Sequence, residues 1–190
     1  MKKIILIFLL PIALYSQCKY ELPANSQVLD KSMQIAIAQV GTVEKSNRND
    51  GVVEKYWESV GLTAPSPYCA AGVYYCFAEG CKKLNYPISY IPIPKTGLAQ
   101  AIYNYAKSNG EKQIYKANIH NLIIWRKGQS MFGHIERIID VQEAGWVQTV
   151  AFNVKNEATG KEGVFIKKRN IYHPISRLKV LGLVGFKANN

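Results

Sequence analysis

The chain has 190 residues, of which 48% are hydrophobic, 11% aromatic and 19% charged, with a formal net charge of +11. This is the length and composition of one globular domain, and it excludes a disordered tail, a collagen-like fibre and a disulfide-dense mini-protein. Four cysteines are too few for a disulfide framework, and no glycine-rich phosphate loop or paired-cysteine zinc motif occurs.

Lys2 and Lys3 lead an apolar run over residues 4–14, broken by Pro11 and followed by the small Ser16. Spanning a bilayer takes about 20 apolar residues, so the run is too short to cross one. It reads as a secretory signal peptide over residues 1–16. The expected location is exported, periplasmic or extracellular, with no stable membrane insertion once the signal is removed. Tyr15-Ser16-Gln17 is a poor lipobox, which disfavours a lipid anchor at Cys18. The remaining chain is still basic and is drawn to anionic surfaces. Nucleic acid is the weakest of these partners, because the lysines are scattered. The dense cluster Lys167-Lys168-Arg169 reads as a solvated strand end.

Apolar spacing is helical before about residue 115 and strand-like after it. Residues 32–45 read as a helix with Ser32 as N-cap and Met33, Ile37 and Val40 on one face. A loop, Asn47-Arg48-Asn49-Asp50-Gly51, precedes a second helix over 52–60 that packs Val53, Tyr56, Trp57 and Val60. Two prolines, Pro65 and Pro67, lead into a third helix over 68–79, stopped by Gly80. Thr96 caps a fourth that runs to Asn109-Gly110. The unbroken apolar run Leu122-Ile123-Ile124-Trp125 predicts a central, doubly buried strand. Residues 134–141 and 146–153 form a hairpin, and 163–168 and 180–186 are further strands. Helices first and an antiparallel sheet second is an α+β arrangement.

Cys69 falls in the first turn of the third helix, where unpaired amides carry partial positive charge. That position favours a thiolate and can help to hold an oxyanion. Cys76 lies deeper in the helix and reads as a small buried hydrophobe. A bridge from Cys81 to Cys76 or Cys18 is open but not favoured, since two cysteines five apart on one helix are too distant. A nucleophilic cysteine needs a base, and His120, His134 and His173 are the candidates. His134 follows Gly133 at a strand start, where the backbone can bend and the ring can face a cleft. If residues 142–145 form the hairpin loop, Val141 opposes Trp146 and His134 opposes Asn153, close enough for their side chains to meet. The competing three-residue loop Glu143-Ala144-Gly145 shifts the register by one and puts the two on opposite faces.

The order Cys69, His134, Asn153 resembles that of papain-like hydrolases. More specifically, the chain is similar to the CHAP domain (cysteine, histidine-dependent amidohydrolase/peptidase), a bacterial and phage peptidoglycan-hydrolase family. Asn49-Asp50-Gly51 and the residues to Tyr56 resemble the family's N-D-G opening. Pro67-Tyr68-Cys69-Ala70-Ala71 resembles its P-W-C-A-A nucleophile turn, and Gly133-His134-Ile135 its histidine strand. Thr149 to Asn153, followed by Gly163-Val164-Phe165-Ile166-Lys167-Lys168-Arg169, resembles its T-I-E-G-N…G-V-x-x-R-x-R ending. The likeness covers roughly residues 33–186.

The resemblance implies a papain-like α+β domain over residues 32–187, behind an extension over 17–31. It implies a cysteine hydrolase that cleaves amide bonds in peptidoglycan, as an endopeptidase or an N-acetylmuramoyl-L-alanine amidase. Cys69 would attack, His134 would move the proton and Asn153 would orient the ring. The Cys69 N–H would serve the oxyanion, with Asn49 as an auxiliary candidate. Ala151 stands where the family often has an acid. Glu136, opposite Ala151 in the first register, is an auxiliary candidate for that place, while its plain reading is a solvated strand charge. Tyr68 replaces a common Trp, and Asn121 an Asp. Residues 61–68 hold no acid, so no metal is expected, nor any cofactor. The expected chain is a monomer whose partner is peptidoglycan. Two alternatives stand beside this one: a non-catalytic wall-binding module on the same scaffold, and a secreted antibacterial toxin with the same chemistry.

Overall fold

A computed structural model describes residues 17–189. The expected signal peptide lies outside the described residues. The fold is α+β: four helices and a seven-stranded mixed sheet. Among the described residues no helix is long and apolar enough to cross a membrane.

The chain opens with β1 (Cys18–Asn25) and α1 (Ser26–Ala38). Residues 17–31, read as an extension, therefore hold a sheet strand and the start of the first helix. Asn25, not Ser32, caps that helix: its side chain accepts from the Val28 amide. The buried face is Val28, Leu29, Met33 and Ala36, while Ile37 and Val40 are exposed. The helix starts earlier than its local apolar spacing signals, because Asn25 stands behind a strand whose pairing is non-local. Ser32 is buried inside α1 and bonds Leu29 O.

A short 3-10 turn (Gly51–Val53) leads into α2 (Glu54–Ser59), with Val53, Tyr56 and Trp57 buried as expected. Next comes α3 (Cys69–Lys83). Gly80 does not stop it, because the helix continues with Gly80 packed against Ser32 of α1. Then α4 spans Ala99–Asn109. Thr96 does not cap it; Leu98 holds the N-cap position.

The strands are β2 (Glu111–Gln113), β3 (Leu122–Lys127), β4 (Gly133–Val141), β5 (Trp146–Lys155), β6 (Glu162–Asn170) and β7 (Leu178–Asn189). Their order is β2-β1-β7-β3-β4-β5-β6, which puts β3 at the centre as its apolar run predicts. The sheet is mixed rather than antiparallel because β1 pairs β7 in parallel. Both faces are buried. One carries Leu122, Ile124, Ile135 and Val184 against the helices; the other carries Ile123, Trp125, Ile138, Val147 and Leu183, covered by Ile171 and its neighbours.

Both expected hairpin registers occur, in different parts of one hairpin. At the turn Val141 pairs Val147, as the three-residue loop requires. A register shift between Ile138 and Asp140 then restores Glu136 opposite Ala151. Such a bulge adds one residue to a strand and resets the pairing beyond it.

The first turn of α3 lies directly on β5. A Cβ on Gly72 would come within 2.3 Å of the Phe152 ring, so only glycine permits this approach. Gly72→Ala is expected to destabilise the fold by about 1–3 kcal/mol through overpacking, read from urea unfolding. A neutral result would mean that Phe152 has room to move.

Candidate active site

Cys69 opens α3 and is buried, with no acid in the first turn of its helix. Of the three histidines, His134 is the one whose titration the Cys69 side chain raises, which places the two groups together. His120 belongs to a separate cluster, with Nδ1 3.1 Å from Arg137 and Nε2 3.3 Å from Asp30. The His173 carbonyl accepts from the Trp125 indole at 3.1 Å.

His134 Nε2 lies 3.0 Å from Glu136 Oε1. Glu136 is fully buried, not a solvated strand charge. Residues two apart on a strand share a face, and here that face is sealed by the layer containing Trp125 and Ile171. The carboxylate also accepts from Thr149 Oγ1 at 2.5 Å, from Arg169 Nη2 at 2.7 Å and from Arg169 Nε at 3.0 Å. Arg169, expected from the sequence to lie at a solvated strand end, reaches inward to this acid.

Charge and geometry agree. Burial by itself lowers the His134 pKa, but hydrogen bonds and charge from Cys69 and Glu136 outweigh it and raise it to about 9. Burial raises Glu136, but His134 first and Arg169 second outweigh it and lower it to about 2. An ionised carboxylate can only accept, so Nε2 carries a proton. With Nε2 committed to the carboxylate, Nδ1 is the ring nitrogen left for a second partner. Trp125 tilts against the ring at a centroid distance of 6.0 Å and limits its motion.

Asn153 is placed differently from the expectation. It sits where the β5–β6 register shifts, with φ of 58°. That turns its amide away from the position a flat strand would give it. Its Nδ2 donates to Asn49 Oδ1 at 2.9 Å and to Glu44 Oε1 at 3.4 Å. Asn49 also has a left-handed φ, of 60°. Its amide donates to Glu44 Oε2 at 2.7 Å and its carbonyl accepts from the Trp57 indole at 3.0 Å. Buried Glu44 also accepts from the Tyr68 hydroxyl at 2.9 Å, the residue just before Cys69. Asn49, Asn153 and Glu44 thus brace the residue that leads into α3.

Glu44, Thr149 and Arg169 escaped the sequence reading as site residues. Glu44 is carried in by residues 41–44, which pair along the β6 edge where Gly163 leaves room. Thr149 and Arg169 were recoverable only from a full register: alternation along β5 and β6 puts them on the Glu136 face. Cys69, Cys76 and Cys81 are free thiols, and burial pushes Cys76 up to about 12.

No family model, curated protein or solved structure matches the chain. Its site is therefore interpreted from its own geometry.

The raised His134 stabilises the fold fully below its ordinary value of 6.5 and loses that contribution as pH rises through about 9. The lowered Glu136 contributes fully above 4.5 and loses it as pH falls through about 2. Both are complete between pH 4.5 and 6.5. The thermal-midpoint gap between wild type and Glu136→Gln is expected to be widest in that window and to narrow above pH 9. A gap that does not vary with pH would show that the two groups are uncoupled.

Proposed function

We propose that the chain is an exported, papain-like cysteine hydrolase of the CHAP type that cleaves amide bonds in peptidoglycan. The observation that carries this reading is the Cys69–His134–Glu136 relay at the start of a helix. Such a chain of nucleophile, base and orienting acid is the arrangement nucleophilic catalysis needs.

In this mechanism Cys69 Sγ, having given its proton to His134 Nδ1, attacks the amide carbonyl. The Cys69 N–H at the helix start donates to the developing oxyanion. The imidazolium then returns the proton to the leaving amine, and the amine departs from a thioester. Neutral Nδ1 next takes a proton from water, which attacks the thioester and releases the acid. Glu136 accepts from Nε2–H throughout and favours the imidazolium each time it forms. Asn153 acts through Asn49 and Glu44 to hold the loop and Tyr68, not through the ring.

Glu136 lies opposite Ala151 and supplies a buried carboxylate beside the histidine. This weighs against a non-catalytic scaffold, a reading favoured by the absence of an acid at position 151. The full chain carries a net charge of +11 and stays basic without Lys2 and Lys3 of the expected signal peptide, which suits an anionic wall polymer.

Purified wall is the substrate to test, with product masses identifying the broken bond. Cys69→Ala is expected to abolish release, while Cys76→Ala alters stability alone. Glu136→Gln is expected to lower kcat by about 10²-fold or more with KM little changed, and Asn153→Ala to cost less. Wild-type rates from Cys69→Ala would end the proposal. A crippled Asn153→Ala beside a near-silent Glu136→Gln would return the orienting role to Asn153.

A further inference from the structure

Glu136 poses a charge problem that His134 alone does not solve. The carboxylate is fully buried and has no access to solvent. An ionised acid in such a place needs a countercharge. His134 supplies one only while protonated. Each turnover makes the imidazole neutral, between protonation of the leaving amine and deprotonation of water. During that interval a second cation must hold the carboxylate ionised.

We propose that Arg169 is a positioning residue of this site, the permanent countercharge that keeps Glu136 ionised and aimed at His134 while the imidazole is neutral. The inference deepens the hydrolase reading and rests on it for its catalytic meaning. A guanidinium does not lose its proton under these conditions. Arg169 Nε lies 3.0 Å from both carboxylate oxygens, and Nη2 lies 2.7 Å from Oε1.

Thr149 completes the fixation. Oε1 meets His134 and Arg169, and Oε2 meets Thr149 and Arg169. This matters because glutamate has a long side chain with several rotatable bonds. From the same strand as the histidine it could swing away. Donors from β5 and β6 hold it edge-on to Nε2. Arg169 has a side chain 20% exposed. Its outer edge lines a cavity of about 310 Å³ with Trp125, Trp146, Lys168 and His173. The cation keeps water on one side while the acid it serves is sealed on the other.

The test uses the chain from residue 17 onwards as wild type, Arg169→Met, Arg169→Lys and Thr149→Val. Two readouts are taken: iodoacetamide alkylation of Cys69 against pH, which needs no substrate, and kcat and KM on purified wall. Folding is checked by circular dichroism and urea unfolding. In Arg169→Met, Glu136 protonates at higher pH and stops holding the imidazolium. The acid limb of the alkylation profile is expected to move to higher pH, and kcat to fall by up to about 10²-fold with KM little changed. Arg169→Lys keeps the charge but loses the fork, so the acid limb is expected near its wild-type position with kcat only partly restored.

A folded Arg169→Met with wild-type profile and kcat would overturn the proposal. So would an Arg169→Lys no better than Arg169→Met in both readouts. If Arg169→Met does not fold, Thr149→Val carries the test: a smaller shift in the same direction supports the proposal, and no shift overturns it. A shifted alkylation profile in a chain that cleaves no wall would reject the hydrolase reading and leave the positioning role of Arg169 standing.

Discussion

The ionised carboxylate of Glu136, buried in the middle of the sheet, is the constraint to which the rest of the site answers. A carboxylate without water must find donors in the protein, and leaving such a charge uncompensated costs about 3–5 kcal/mol. Here the donors come from three strands: His134 on its own β4, Thr149 on β5 and Arg169 on β6. Each can reach it only if the strands keep their register. The acid that orients the histidine therefore also locks the sheet that carries it.

The next residue places the opposite charge on the opposite face. Arg137 is buried, with Nη1 2.9 Å from Ser32 Oγ and Nη2 2.9 Å from Leu29 O. Its guanidinium lies 4.7 Å from the centre of the Phe77 ring. These contacts tie β4 to α1 and to the helix that begins with Cys69. Burial pulls the Arg137 pKa down to about 10, and its Nε is buried without a partner. One strand thus presents an acid to the layer that holds Trp125 and Ile171 and a cation to the helical layer. Its position relative to α3 sets where His134 meets Cys69.

A second polar cluster supports Tyr68, the residue before Cys69. Asn49 and Asn153 both hold left-handed backbone, at φ of 60° and 58°. Such conformations persist where the surroundings over-determine them, and they concentrate at functional sites. Here the two side chains bond each other and Glu44, which in turn holds Tyr68. The bulge that brings Asn153 to this cluster is also what removes it from the histidine.

The sequence by itself determined the elements whose signals are local. Helical spacing marked α2 and α3, the paired prolines marked the start that carries Cys69, and an unbroken apolar run marked β3 as central. It also placed Glu136 opposite Ala151, from the alternation along a hairpin. Tertiary structure decided the rest, because the deciding contacts join residues far apart in the chain. Arg169 is 33 positions from Glu136, and Asn153 is 104 from Asn49. Burial of the second sheet face turned Glu136 from a surface charge into the partner of His134. The hairpin kept both of its competing registers by inserting a bulge, a compromise that no residue pattern announces. Alternation says which side chains share a face; only the packed layers say whether that face meets water, and so whether a carboxylate on it is solvated or must be paired.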